Sequence, residues 1–275
     1  MSEEATVYET SQAVDYHSRH ELSSSEVACY LNDPIVWYHR YCLKDWPRDK
    51  PSEAMQFGTM VHRMIEIGGC DAIVKEIPAE VLNEQGHCKG KTWLDWKAAN
   101  PADQYLKPGE ANPLKLIWDN LQANSWCKAV IALAAKETEH FWHDADLASE
   151  CRMKCDAIGN GVLVDWKTTS KTNARTFAAD AAARFYDVRL ALYRRGFRDK
   201  FGCNPEVYVV AIATDAGCKV TPYRMPDSWL EDAEARLILT VDEMSRFSLD
   251  RYLDCGPVDL VQPRWATFDL ESVDE

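Results

Sequence analysis

The stretch CDAIGNGVLVDWKTTS, residues 155–170, sets two carboxylates, Asp156 and Asp165, and an ammonium, Lys167, among Ile, Val, Leu and Trp. Its two apolar runs meet at Asn160-Gly161, the dipeptide most favoured in a two-residue hairpin loop. With those two residues as the loop, Asp156 falls opposite Asp165 and Lys154 opposite Lys167. All four then share one face, because strand side chains alternate. Opposed side chains have Cβ atoms about 4.5–5.5 Å apart, a spacing at which like charges destabilise a sheet. Two acids so placed repel unless a cation stands between them, either a neighbouring lysine or a divalent metal. A loop at Gly159-Asn160 would leave the acids diagonal. A solvated face of alternating Asp and Lys is the plainer alternative.

A second pattern bears on that choice. In GTMVHRMIE, residues 58–66, His62 and Glu66 are spaced to share one helical face. A lone histidine on a helix is ordinarily structural. A His/Glu pair joined to a double-Asp hairpin with a trailing lysine is a rarer coincidence, and it favours metal-assisted chemistry.

These residues need elements to position them. ELSSSEVACYLNDPIVWYHRYCL reads as a serine-capped helix interrupted at Pro34. MQFGTMVHRMIEIGG reads as a second helix, opened near Gly58-Thr59 and stopped by Gly68-Gly69. Residues 78–113 read as irregular apart from a short helix near TWLDWKAA, and a helix follows from about Pro113 to Ala135. Three strands come next, KETEHFWHD, SECRMKCDAI and GVLVDWKTT. Two helices then lead to EVYVVAIATD, whose nearly continuous apolar run marks a strand buried on both faces. GCKVTPYRM is its hairpin partner, and residues 226–253 form a long C-terminal helix. The expected architecture is α/β, a mixed central sheet flanked by helices with a helical N-terminal part. Residues 1–20 read as a flexible leader, 21–265 as one domain and 266–275 as an acidic tail.

Composition narrows the function. The chain has 275 residues, of which 46% are hydrophobic, enough for a real core. No apolar run is long enough to span a membrane, and the acidic start lacks the features of a signal peptide, so a cytoplasmic protein is expected. Ten cysteines are scattered with no CxxC pair, which argues against a zinc or iron–sulfur site. The net charge of −13 excludes a broad basic surface, so any nucleic-acid site must be a confined patch.

Taken together, the motifs resemble the PD-(D/E)XK nuclease superfamily, and within it the exodeoxyribonuclease VIII type of phage recombination exonuclease, a relative of lambda-type exonuclease. LSSSEVACYLNDPIVWYHRY is similar to the family's opening helix, FGTMVHRMIE to its G-T-x-x-H helix and LNEQGHCKGKTWLDW to a Gly/Lys/Trp segment. CRMKCDAI and VLVDWKTT match its Asp and (D/E)xK motifs.

The resemblance implies a restriction-endonuclease-like core. It makes Asp156 and Asp165 metal-binding carboxylates, Lys167 the catalytic lysine, His62 a further ligand, and the Trp166 carbonyl the completion of the metal shell. Glu66 is a weaker carry-over. The family's Q-x-x-x-Y element finds Tyr193 here but has Arg189 in place of glutamine.

On this reading the chain is a Mg²⁺-dependent exonuclease, with Mn²⁺ able to substitute, that degrades duplex DNA ends 5′-to-3′ and leaves 3′ single strands for recombination. Arg189 and Tyr193, with Lys89 and Lys91 beside Trp93, are the candidate DNA contacts. For Arg194, Arg195 and Arg198 an ordinary solvated helix face is at least as good an account. The resemblance also implies a ring homo-oligomer and a single-strand annealing partner. Two rivals stand beside it: an endonuclease or flap nuclease of the same superfamily, and a non-catalytic DNA-binding recombination module.

Overall fold

The computed structural model describes residues 20–83, 85–254, 256, 257 and 259. The leader up to residue 19 and the acidic tail at 266–275 lie outside the described residues.

A six-stranded mixed sheet organises the chain. Its strands are β1 (Leu22–Ser23), β4 (Ala135–Asp144), β5 (Ser149–Gly159), β6 (Val162–Thr169), β7 (Glu206–Ala213) and β8 (Val220–Arg224). The three strands read in series form β4, β5 and β6, and EVYVVAIATD forms β7. Adjacent pairs run β4–β5 antiparallel, β5–β6 antiparallel, β6–β7 parallel and β7–β8 antiparallel. The short β1, absent from the sequence reading, pairs parallel with Cys151 and Arg152 of β5. Two residues carry too little periodicity to announce a strand.

Asn160-Gly161 is the β5–β6 loop, closed by the Gly159–Val162 pair. Both loop residues have positive φ, 51° and 77°, as a type I′ turn requires. The ladder runs only from that pair to Ala157–Val164 and stops short of the two aspartates. Lys154 therefore does not pair with Lys167; it reaches Glu137 of β4 instead.

Helices cover both faces. On one side, α1 (Ser24–Asn32), α8 (Tyr186–Phe201) and α9 (Asp227–Ser245) pack with Cys151, Met153, Cys155, Leu163, Val207 and Val209. On the other, α3 (Glu53–Ile67), α5 (Pro113–Ala123) and α6 (Ser125–Leu133) pack with Ala157, Val164, Trp166 and Val210. α8 comes close to the sheet because Gly196 has no side chain; a Cβ there would stand 2.7 Å from Met153 Sδ.

Several boundaries differ from the sequence reading, each for a local reason. α3 starts at Glu53, not near Gly58, because the Ser52 side chain accepts the Met55 N–H and caps it. Gly58 lies inside the helix, where a Cβ would meet Thr168 Oγ1 at 3.1 Å, so the missing side chain lets α3 approach β6. The helix expected from Pro113 to Ala135 breaks at Asn124, whose Oδ1 accepts the Cys127 N–H and starts α6. The C-terminal helix ends at Ser245, and α10 (Leu249–Leu253) follows as a separate turn. Within the segment read as irregular, β3 (Gln104–Leu106) pairs parallel with β2 (Val74–Glu76). The short helix there, α4, spans Lys91–Ala99.

Candidate active site

A gap in the sheet builds the site. β4 occupies one edge of β5 from Ser149 to Ile158, so β1 and β6 must share the other. β1 takes Cys151 and Arg152, and β6 takes Ala157 to Gly159. Residues 153–156 are left without a ladder partner on that edge. Asp156 fills part of the gap with its side chain, Oδ2 accepting the Trp166 N–H at 2.8 Å.

Asp165 and Lys167 stand one strand away. Lys167 Nζ lies 2.6 Å from Asp165 Oδ2 and donates to the Trp166 carbonyl at 3.4 Å. The angle between Lys167 and Asp165 is poor, and Oδ2, though buried, receives no well-directed hydrogen bond. From α3, His62 brings Nδ1 to 3.4 Å from Asp156 Oδ1. A cavity of about 120 Å³ opens onto Asp156, Asp165 and Lys167, lined from α8 by Tyr186, Arg189, Leu190 and Tyr193. Tyr193 is anchored there by the Ser24 hydroxyl, which donates to its oxygen at 3.2 Å.

The protonation pattern follows from burial and charge. Burial raises the Asp165 pKa, and the Asp156 charge adds to this against the pull of Lys167, so Asp165 stands above the ordinary carboxylate value. Asp156 goes the other way: burial opposes ionisation, but the His62 hydrogen bond and charge outweigh it. Burial would lower His62 and Lys167, yet the facing carboxylates outweigh it and raise both, which keeps Lys167 an ammonium. The Tyr193 hydroxyl is pushed well up by burial and stays neutral.

Glu137 on β4 is the residue that sequence reasoning missed. Its carboxylate, an Asp156 oxygen and a His62 nitrogen all lie within 4.8 Å of one another. Among the described residues this is the one group of three or more His, Cys, Asp or Glu side chains placed to hold an ion. The only signal available in the sequence was an acid inside a predicted strand that would neighbour CRMKCDAI.

Other candidates fall away from the centre. Glu66 faces solvent one turn beyond His62 and takes no part in that group; its backbone carbonyl accepts Lys136 Nζ at 3.5 Å. Lys89 and Lys91 are exposed at the start of α4 and do not line the cavity. Trp93 and Trp96 stack on each other beside Tyr105 at ring separations of 5.3–5.8 Å. The remaining arginines of α8 serve the fold. Arg194 is buried against Glu234, Arg195 clamps Asp144 and Asp146, and Arg198 reaches Glu234 at 2.7 Å. Arg189 is the α8 arginine that faces the carboxylates.

The donor set fits a hard divalent cation. Carboxylate oxygens, one imidazole nitrogen and a buried carboxylate atom without a directed donor are what Mg²⁺ or Mn²⁺ would take. Residues 39–248, with this arrangement inside them, match the PDDEXK-like domain of unknown function (DUF3799). The chain belongs to that family. The matched range contains Asp156 and the Asp165-x-Lys167 spacing.

A crystal structure from Eubacterium rectale, named as a "putative exonuclease", shares the fold with a TM-score of 0.60. It aligns over 94% of this chain and 97% of its own at 12% identity. The crystal structure of SSO0001 aligns over 75% of this chain and 90% of its own at 11% identity, with a TM-score of 0.30, too low to indicate a common fold. No curated protein sequence matches the chain. Among the described residues no helix is long and apolar enough to cross a membrane.

Proposed function

We propose that this PDDEXK-like chain is a divalent-metal-dependent DNA nuclease acting as an exonuclease on duplex ends. The observation that carries the reading is the convergence of Asp156, Asp165, Lys167 and His62 at one gap in the sheet, under a cavity faced by Arg189. The family and the name of the E. rectale neighbour support a nuclease. The 5′-to-3′ polarity, the 3′ strands left for an annealing partner and a ring assembly come from the resemblance to exodeoxyribonuclease VIII.

Asp156, Asp165 and His62 would hold Mg²⁺ or Mn²⁺, with the Trp166 carbonyl nearby; the bound ion would acidify water and polarise the phosphate. The protein's part is placement. The Trp166 N–H fixes the Asp156 carboxylate, leaving Oδ1 toward His62. Lys167, held as an ammonium, offsets negative charge developing on the phosphate and donates to its oxygens or to the attacking water. Arg189, lining the same cavity, supplies a second cation for a non-bridging oxygen. Tyr193, neutral and tied to Ser24, holds the wall of the cavity.

The test uses three substrates with purified protein and Mg²⁺: linear duplex, nicked circle and covalently closed circle. Degradation of the linear duplex with intact closed circles is expected. Cleavage of closed circles would replace the exonuclease with an endonuclease, and no cleavage of any substrate would overturn the nuclease reading.

A further inference from the structure

Glu137 sits in β4 directly across from Asp156, between the Lys136–Ala157 and Thr138–Cys155 pairs. Its φ is +48°, left-handed backbone in the middle of a strand. A glutamate is rarely held there unless its surroundings demand it, and such residues gather at functional sites. The Lys154 ammonium lies 3.2 Å from its Oε2 and leaves more than a third of its own side chain in water. A partly exposed pair of this kind contributes little to stability, so it does not account for the left-handed glutamate.

We propose that Glu137 is a divalent-cation ligand, together with His62 and Asp156, and that Lys154 occupies its carboxylate until the cation arrives. Three observations meet here. The ligand atoms of the trio already lie within 4.8 Å of one another. Ligands of an octahedral ion with bonds of about 2.1 Å stand about 3.0 Å apart when adjacent and about 4.2 Å apart when opposite, so the trio must draw in by up to roughly 2 Å, a movement within reach of side-chain rotation. The existing partner of Glu137 is a flexible ammonium able to swing into solvent, a monovalent stand-in that a divalent ion outcompetes. The inference extends the metal-dependent nuclease reading and rests on it for the identity of the ion.

The experiment is calorimetric titration of the full chain with Mn²⁺, comparing the natural sequence with Glu137→Gln and Lys154→Met, with thermal melts to verify folding. Glu137→Gln should weaken Mn²⁺ binding roughly tenfold or more. Lys154→Met should tighten it, because the competing ammonium is gone. Unchanged affinity in Glu137→Gln would overturn the ligand role, and unchanged or weaker affinity in Lys154→Met would overturn the competitor role. Glu137→Gln is also repeated in the Lys154→Met background: tightening that survives loss of the Glu137 carboxylate would reflect charge alone and would overturn the ligand role. DNA cleavage by the natural chain with Mn²⁺ affinity insensitive to Glu137 would sink this inference and spare the nuclease. Glu137-dependent Mn²⁺ binding in a chain that cleaves no DNA would do the reverse.

Discussion

Trp166 and Asp156 are joined where the β5–β6 ladder ends: the Trp166 backbone N–H donates to Asp156 Oδ2 at 2.8 Å. The carboxylate thus has a structural duty, satisfying a backbone donor, beside its chemical one. Asn at this position keeps an oxygen for the N–H and loses the charge, whereas Ala loses both. Asp156→Asn is expected to melt within a few degrees of the natural protein and to cleave linear duplex at least about a hundredfold more slowly. Asp156→Ala should lose the same activity and also about 1–3 kcal/mol of stability, because a partly buried donor goes unmet. Melting curves beside nuclease rates check both.

Lys167 separates binding from chemistry. Its ammonium neutralises Asp165, and removing it leaves two carboxylates free to attract a cation. Lys167→Met should therefore abolish cleavage while holding Mn²⁺ at least as tightly as the natural chain. Loss of Mn²⁺ binding in that variant would show that the lysine only supports the site's structure.

Asp144 and Arg195 form a buried clamp outside the site, with Arg195 Nη2 2.6 Å from Asp144 Oδ1. Burial would raise the Asp144 pKa, but the Arg195 hydrogen bonds and charge, with the Trp142 N–H, bring it below the ordinary 3.8. A carboxylate depressed in the folded state contributes stability that is present above about pH 4 and is lost as pH falls through the folded value. Asp144→Ala, which leaves Arg195 with Asp146 and the more distant Glu234, should cost about 1–3 kcal/mol at pH 7. The cost should shrink on acidification below pH 4, measured by urea denaturation across that range.

Gly196 sets how near α8 lies to the sheet. A Cβ there would meet Met153 Sδ at 2.7 Å and the Trp142 ring at 2.8 Å. Alanine normally favours a helix over glycine, but here the overpacking dominates, and Gly196→Ala should destabilise by about 1–3 kcal/mol. Because α8 also carries Arg189 and Tyr193, activity should fall further than stability accounts for. Chemical denaturation and cleavage rates on one preparation test this.

Much of the site was legible from local rules. Asn160-Gly161 signals its own turn through backbone preference, and alternation along the strands then brings Asp156 and Asp165 together at the ladder's end with Lys167 two residues on. His62 followed from helical spacing and from likeness to known motifs. These depend on neighbours in the chain, which periodicity reports.

Contacts between distant segments were not legible. Glu137 became part of the site through the β4–β5 register and a left-handed φ, neither of which its neighbours in the chain encode. Glu66 shares His62's helix but lies one turn further along it, with its side chain in solvent. Arg194, Arg195 and Arg198 looked like the basic face of a helix until α9 and the end of β4 supplied their carboxylates. Residue type and spacing declare which chemistry a segment can do. Which side chains meet to do it depends on how segments far apart in sequence pack, and that packing is decided by the whole core at once.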